Sequence, residues 1–366
     1  MNNKRHQAWS KQFLLAALLS AGMPSVAHDD ANQSAQAEKM LIETLRNVQS
    51  MQLQEATALA KSLSDSYPDY RLAQLLSADL LAIQAGNFEL IERIHKANPR
   101  TVERLKSEAE VRWRHAHSDD NQADAVLASS VLKVGEQPHI VVVNLATSRL
   151  YLYENRAGQL KLLANYYISM GTGGAGKQRE GDRKTPIGVY HIIDWVPGER
   201  LADLYGTGAL PLNYPNIWDQ ALGRTGHGIW LHGTPSNTFS RPPQSSQGCV
   251  VLNNQEMESL VSQFNIAMAT PVIILDKSFD ASYFEAEKLA VLTEINAWLV
   301  EQGQQFDWSK VSVYRYPSEE GLYYATFPAT NDTEHLVHQY WRRGHDGGWQ
   351  LVLQTKDPII IKTRLS

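Results

Sequence analysis

Cys249 is the sole cysteine of the chain. It lies in Ser245-Ser246-Gln247-Gly248-Cys249-Val250-Val251, 17 positions after His232 of Ile229-Trp230-Leu231-His232-Gly233-Thr234. A thiol is mostly protonated at neutral pH, with an ordinary pKa of about 8.5. A neighbouring imidazole can remove that proton and leave a strong nucleophile. The imidazole must itself be held in one orientation by a carbonyl or carboxylate. Gly248 permits close backbone approach, and the amides of Gly248 and Cys249 are placed to receive a developing oxyanion. Taken singly, Cys249 could equally be a small buried hydrophobe and His232 a hydrogen-bonded structural side chain. His227 stands five residues before His232, but His-Glu-x-x-His and a second cysteine are both missing, which argues against zinc.

Strands must bring the two residues together. Ile229 to His232 reads as a strand ending at the histidine, and Val250 to Leu252 as a short strand beside the cysteine. Upstream, Ile140-Val141-Val142-Val143 reads as a buried strand, Arg149 to Tyr153 as its hairpin partner and Tyr166 to Met170 as a third strand. A Gly-rich loop spans Gly171 to Gly176. Asn253 and Glu256 have capping-box spacing, before a helix face of Met257, Leu260, Val261 and Phe264. Thr270 to Leu275 closes this mainly β domain, placed at residues 137–277. Asn213-Tyr214-Pro215 and Asn237 to Gln244 are irregular enough to form a lid over the cysteine.

Residues 30–118 read as helices. Ala56, Leu59, Ala60 and Leu63 share one face; Leu72, Leu75, Leu76 and Ile83 form the next; Leu90, Ile91 and Ile94 begin another that stops before Pro99. The pairing resembles a tetratricopeptide-type hairpin, without a repeat of about 34 residues. It suits a docking platform or a helical cap. Asp119 to Asp124 reads as a polar linker. Residues 280–366 give a helix, Phe284 to Gln302, then four strand-like stretches, 311–316, 322–327, 334–342 and 349–356. A helix on a curved antiparallel sheet resembles the nuclear-transport-factor-2-like fold. The expected fold class is thus multidomain: an all-α N-terminal region, a mainly β domain and an α+β C-terminal domain.

The 366 residues are 43% apolar and 20% charged, ordinary for a globular chain. The 15 tyrosines suit either a carbohydrate- or peptide-facing surface or a β-rich core. Lys4, Arg5 and Lys11, then Phe13 to Leu19, then Ser25-Val26-Ala27, have the order of a secretory signal over residues 1–27. Its apolar run is shorter than the roughly 20 residues of a spanning helix. The expected location is the periplasm, with no transmembrane anchor after cleavage. Losing those three cations and no acid takes the net charge from −5 to −8, the wrong sign for tracking a nucleic-acid backbone. One cysteine allows no internal disulfide.

The segment Tyr166 to Leu275 resembles the YkuD-type L,D-transpeptidase catalytic domain. Three motifs carry the resemblance: Gly181…Thr185-Pro186-Ile187-Gly188-Val189-Tyr190, His232-Gly233-Thr234 and Ser246-Gln247-Gly248-Cys249-Val250-Val251. It implies a β-sandwich-like fold, Cys249 as nucleophile, His232 as base and the Gly233 carbonyl orienting His232. Most members have histidine at the position of Gln247, and arginine or asparagine is common at that of Val251. Gln247 cannot act as a base.

The resemblance also implies peptidoglycan stem peptides containing diaminopimelate as substrate, and no cofactor. Cys249 would attack the carbonyl of the third residue and expel the terminal D-Ala. The acceptor is left open: a second diaminopimelate (a 3→3 cross-link), a lysine of an outer-membrane lipoprotein, or water in a carboxypeptidase or amidase. A non-catalytic peptidoglycan-binding or assembly module is the reading from another class. Ser246, Gln247 and Arg183, the last in the basic stretch Lys177 to Lys184, are candidate substrate contacts.

Overall fold

Among the described residues six helices come first: α1 (Val26–Gln49), α2 (Leu53–Ser66), α3 (Arg71–Gln84), α4 (Phe88–Ala97), α5 (Pro99–Ala116) and α6 (Gln122–Ala128). The computed structural model describes residues 26–118, 121–277, 285–302, 307–329 and 332–358. The expected secretory signal lies outside the described residues as far as residue 25. Ala37 and Leu41 of α1 pack with Leu63, Leu72, Ala73 and Leu105, so the helical periodicity read from sequence does define a core. Pro99 opens α5, where its missing N–H costs nothing. α4 buries no residue completely and lies at the surface. No helix among the described residues is long and apolar enough to cross a membrane.

The mainly β region contains β2 (His139–Asn144), β3 (Arg149–Arg156), β4 (Gln159–Tyr167), β5 (Met170–Gly171), β6 (Gly188–His191), β7 (Val196–Pro197), β8 (Gly208–Pro211), β9 (Trp230–His232), β10 (Gln244–Ser246), β11 (Val250–Val251) and β12 (Pro271–Leu275), preceded by β1 (Val131–Lys133). Helix α7 (Ile217–Ala221) precedes β9 and α8 (Asn254–Glu258) follows β11. A five-stranded sheet has the order β4-β3-β2-β12-β6, and a four-stranded one β11-β9-β8-β7. β4 starts at Gln159, well before the expected Tyr166. Its outer half buries no residue and mixes Leu160, Leu162 and Leu163 with Gln159, Lys161 and Asn165, so it shows neither a buried apolar run nor a strict alternation.

The C-terminal sheet consists of β13 (Ser312–Arg315), β14 (Leu322–Ala329), β15 (Asp332–Arg343) and β16 (Trp349–Pro358), with β1 added at its edge. Helix α9 (Glu285–Glu301) covers one face, where Val291, Ile295 and Leu299 meet Val313, Ala325 and Trp341. The other face packs on the five-stranded sheet of the β region. Tyr314, Tyr316, Tyr324 and Tyr340 meet Ile140, Val142, Tyr151, Tyr153 and Ile273. The alternate residues Val141, Val143, Leu152, Val272 and Ile274 face the core of the β region itself. The Ile140–Val143 run is apolar at every position because its strand is covered on both sides. Six of the 15 tyrosines belong to this shared core, as the second of their two readings expects. The expected linker is partly helix: α6 buries Val126 in the same core.

Candidate active site

His232 ends β9, which is flanked by β8 and β11. Its Nδ1 lies 2.7 Å from the carbonyl oxygen of Gly233. A carbonyl can only accept, so Nδ1 carries the proton and Nε2 keeps its lone pair. The Tyr205 ring meets the imidazole edge-on, with centroids 5.1 Å apart. Burial takes the His232 pKa down to about 4; the bond to Gly233 opposes this and the charge of Arg241 adds to it. The imidazole is therefore neutral at pH 7.

Gly233 sits in a clasp. A Cβ there would lie 2.1 Å from Asn254 Oδ1. That oxygen accepts the N–H groups of Thr207 and Thr234, both at 3.1 Å. The Gly233 N–H donates to Tyr205 O at 3.1 Å. One side chain at the start of α8 thus fixes both the His-Gly-Thr turn and the loop that carries Tyr205.

β11 pairs in parallel with β9, Val250 beside Leu231 and Val251 beside His232. Cys249 immediately precedes β11; carried one residue beyond the strand, its alternation would give Cys249 the face of Val251, the residue beside His232. The Cys249 thiol is half-buried and donates to Gly228 O at 3.4 Å. Burial pushes it up, against the N–H of Trp230 and the charges of Arg241 and Lys177. Gly248 has φ +130°, and a Cβ there would lie 2.8 Å from Lys184 O, so glycine is required.

The structure separates the other expected site residues. Ser246 is buried; its hydroxyl donates to Cys249 O at 2.6 Å and accepts from Gly248 N–H at 3.1 Å. It clasps the turn that carries Cys249 and is itself shielded from solvent. The same bond commits the Gly248 amide and removes it from the oxyanion role expected of it. Gln247 is exposed. Arg183 is exposed with φ +57°, and its carbonyl accepts from Gly173 N–H at 2.9 Å. His227 is at the surface, 3.9 Å from Glu180. Val251 is buried and exchanges two 2.9 Å bonds with the Ser169 backbone; Arg112, from α5, lines the small gap beside it.

Neither expected lid is a free flap. Tyr214 is buried, its hydroxyl donating to Thr225 O at 3.1 Å. In the second segment, Phe239 packs against Tyr67 and Tyr70 of the helical region, with ring centroids 4.9 and 4.8 Å apart. Ser169 Oγ and Tyr167 OH donate to Arg241 O at 2.8 and 3.0 Å. Ser240 Oγ donates to Glu108 at 2.8 Å and accepts from Arg112 at 2.8 Å.

Arg112 belongs to a buried seam between the helices and the β region. It pairs with Glu38 and Glu108 and lies 3.7 Å above the Tyr167 ring; Arg149 reaches Glu38 at 2.7 Å. Burial pushes Glu38 up, but Arg112 and Arg149 hold it down at about 2. Burial raises Glu256 to about 7 although Ser34 donates to it at 2.8 Å.

Sequence reading missed four residues that act on the pair: Tyr205, Asn254, Lys177 and Arg241. Lys177 is buried and bonds Asp182 at 2.8 Å. Although burial pushes Asp182 up, Lys177 and the N–H groups of Gln178, Arg179 and Lys184 hold it well below the usual carboxylate range. The basic composition of this loop is visible in sequence; its inward-facing lysine has no local signal. Chemically, a protonated thiol and a neutral imidazole are the components a general-base pair uses, with proton transfer coupled to attack; at rest the thiol bonds Gly228 O. Among the described residues no group of three or more His, Cys, Asp or Glu side chains is arranged to hold a metal.

Residues 138–274 match the family model YkuD, described as the L,D-transpeptidase catalytic domain. Over 112 residues the chain is 31% identical to “Putative L,D-transpeptidase YafK” of Escherichia coli strain K12, an alignment covering 30% of this chain. The chain spans about two fifths (41%) of the length of that relative. Among solved structures, the helical cell shape determining protein Pgp2 of Campylobacter jejuni is similar at 20% identity and TM-score 0.45, covering 69% of this chain and 99% of that one. Bd1075 of Bdellovibrio bacteriovorus is similar at 18% identity and TM-score 0.46, covering 63% and 97%.

Proposed function

Because residues 138–274 are a YkuD-type L,D-transpeptidase catalytic domain, we propose that the chain is a cysteine acyltransferase acting on diaminopimelate-containing peptidoglycan stem peptides in the periplasm. The observation that carries this reading is the tautomer of His232. With Nδ1–H held by Gly233 O, Nε2 is the nitrogen left to take a proton from Cys249.

The steps balance without a cofactor. His232 Nε2 takes the thiol proton as Sγ attacks the carbonyl of the third stem-peptide residue. The Cys249 amide faces the developing oxyanion. The C–N bond breaks, the terminal D-Ala leaves with the proton from His232, and a thioester remains on Sγ. An amine or water then attacks that thioester, again deprotonated by His232, and the thiol is regenerated.

Treating disaccharide-tetrapeptide with the full chain and with Cys249→Ala, followed by chromatography of the products, tests the reading. The native chain should release D-Ala and yield 3→3 cross-linked dimer, or free tripeptide if water is the acceptor. A profile unchanged from that of Cys249→Ala counts against the enzyme and leaves a binding module.

A further inference from the structure

The strongest feature outside the pair is a cleft of about 330 Å³ between the helical region and the catalytic domain. One wall is Arg71 of α3 with Arg104 of α5; the other is the loop that carries Arg241 and leads through Ser245 to Cys249. Three guanidinium groups line this space, and no carboxylate does. Among the described residues none of the three arginines forms an ion pair, in a chain with a net charge of −5. Arg71 and Arg104 are exposed. Arg241 is half-buried, its guanidinium bonded to Ser245 O. The Ser245 hydroxyl is shut off from solvent without a hydrogen-bond partner.

Of the three, Arg241 is the one whose charge the surroundings disfavour. Burial lowers the Arg241 pKa and the charge of Arg104 lowers it further. An anion seated between them would relieve that repulsion and receive forked, charge-assisted hydrogen bonds. The cleft is also tied to the reacting pair. The charge of Arg241 reaches both Cys249 and His232. Leu204, exposed on the cleft rim, precedes the Tyr205 that packs on His232. Ser245 is three residues from Gly248.

We propose that this cleft binds the carboxylates of an anionic peptide and so holds the peptide's scissile carbonyl at Cys249. The assignment rests on the acyl-transfer reading for its substrate class. It gives the helical region a role in substrate binding: α3 and α5 supply two of the three arginines of the anion site.

The test uses the full chain carrying Cys249→Ala, so that binding is read without turnover. Calorimetric titration with disaccharide-tetrapeptide is compared with titration of the same chain also carrying R71Q and R104Q. Loss of two charge-assisted contacts should weaken binding about tenfold or more. R104K alone should keep most of the affinity, which separates charge from structural damage. Peptide with its carboxylates amidated should bind both chains equally weakly. Equal affinity of the two chains for the free peptide, or no binding to either, overturns the cleft assignment. Weakening by R71Q and R104Q upholds it even where the native chain forms no acyl adduct, a result that would sink the enzyme reading alone.

Discussion

Asn254 Oδ1 occupies the place a side chain on Gly233 would need, 2.1 Å from where its Cβ would be. The same oxygen holds the two backbone N–H groups that frame the histidine turn. Orientation of His232 therefore depends on a residue that is adjacent in sequence to neither member of the pair. Asn254→Ala should leave two amides without their acceptor and destabilise the fold by about 1–3 kcal/mol. Gly233→Ala should cost a similar ~1–3 kcal/mol through overpacking. In both variants acylation of Cys249 should slow by more than the loss of folded protein explains. Stopped-flow acylation, normalised to the folded fraction from thermal melts, checks this.

His232 should titrate at about 4, in a carbon-13 NMR titration of the labelled imidazole. The thiol moves the other way, so the resting pair is uncharged at pH 7. Alkylation by iodoacetamide should stay slow through pH 7 and climb only in the alkaline range. Fast alkylation at pH 5–6 would mean a preformed thiolate–imidazolium pair. The stability sign follows from the same shift: the unfolded chain binds the His232 proton more readily. Its contribution is full above about pH 6.5 and fades as pH falls toward 4.

Glu256 runs in the opposite sense. Its folded pKa of about 7 lies above the ordinary 4.5, so the folded chain holds the proton more tightly. That contribution is present below pH 4.5 and is lost as pH rises through 7. Glu256→Gln should therefore flatten the fall in melting temperature between about pH 5 and 8. A fall as steep as in the native chain would mean that the carboxyl is already ionised at the acid end of that range.

Arg112 binds the helices to the β region through Glu38, Glu108 and Ser240. Arg112→Met leaves two carboxylates facing each other in a buried seam. It should cost about 3–5 kcal/mol and loosen the Phe239–Arg241 loop, seen as faster amide exchange there.

The proposed pair is legible in the sequence because a lone cysteine and a histidine each stand beside a strand-like run. Their neighbours are not. Tyr205, Lys177 and Arg241 lie in irregular loops, where no period marks a side chain that points inward. Asn254 followed a cap signal that drew attention to Asn253, which does cap α8, accepting from Glu256 N–H at 2.8 Å. The continuous apolar run at 140–143 correctly marked a strand covered on both sides. It did not say that the cover was the C-terminal sheet, since the tyrosines that supply it lie more than 150 residues away. β1 was missed because three residues carry no period and gain their meaning only by pairing with β13.

The most direct measurement is the intact mass of the full chain quenched in acid during reaction with disaccharide-tetrapeptide. The account predicts a disaccharide-tripeptide thioester on Cys249, absent from Cys249→Ala. Formation of that adduct should slow by about 10²–10⁴-fold in His232→Gln. An unmodified Cys249 in the native chain, or an adduct that forms as fast without the imidazole, would contradict it.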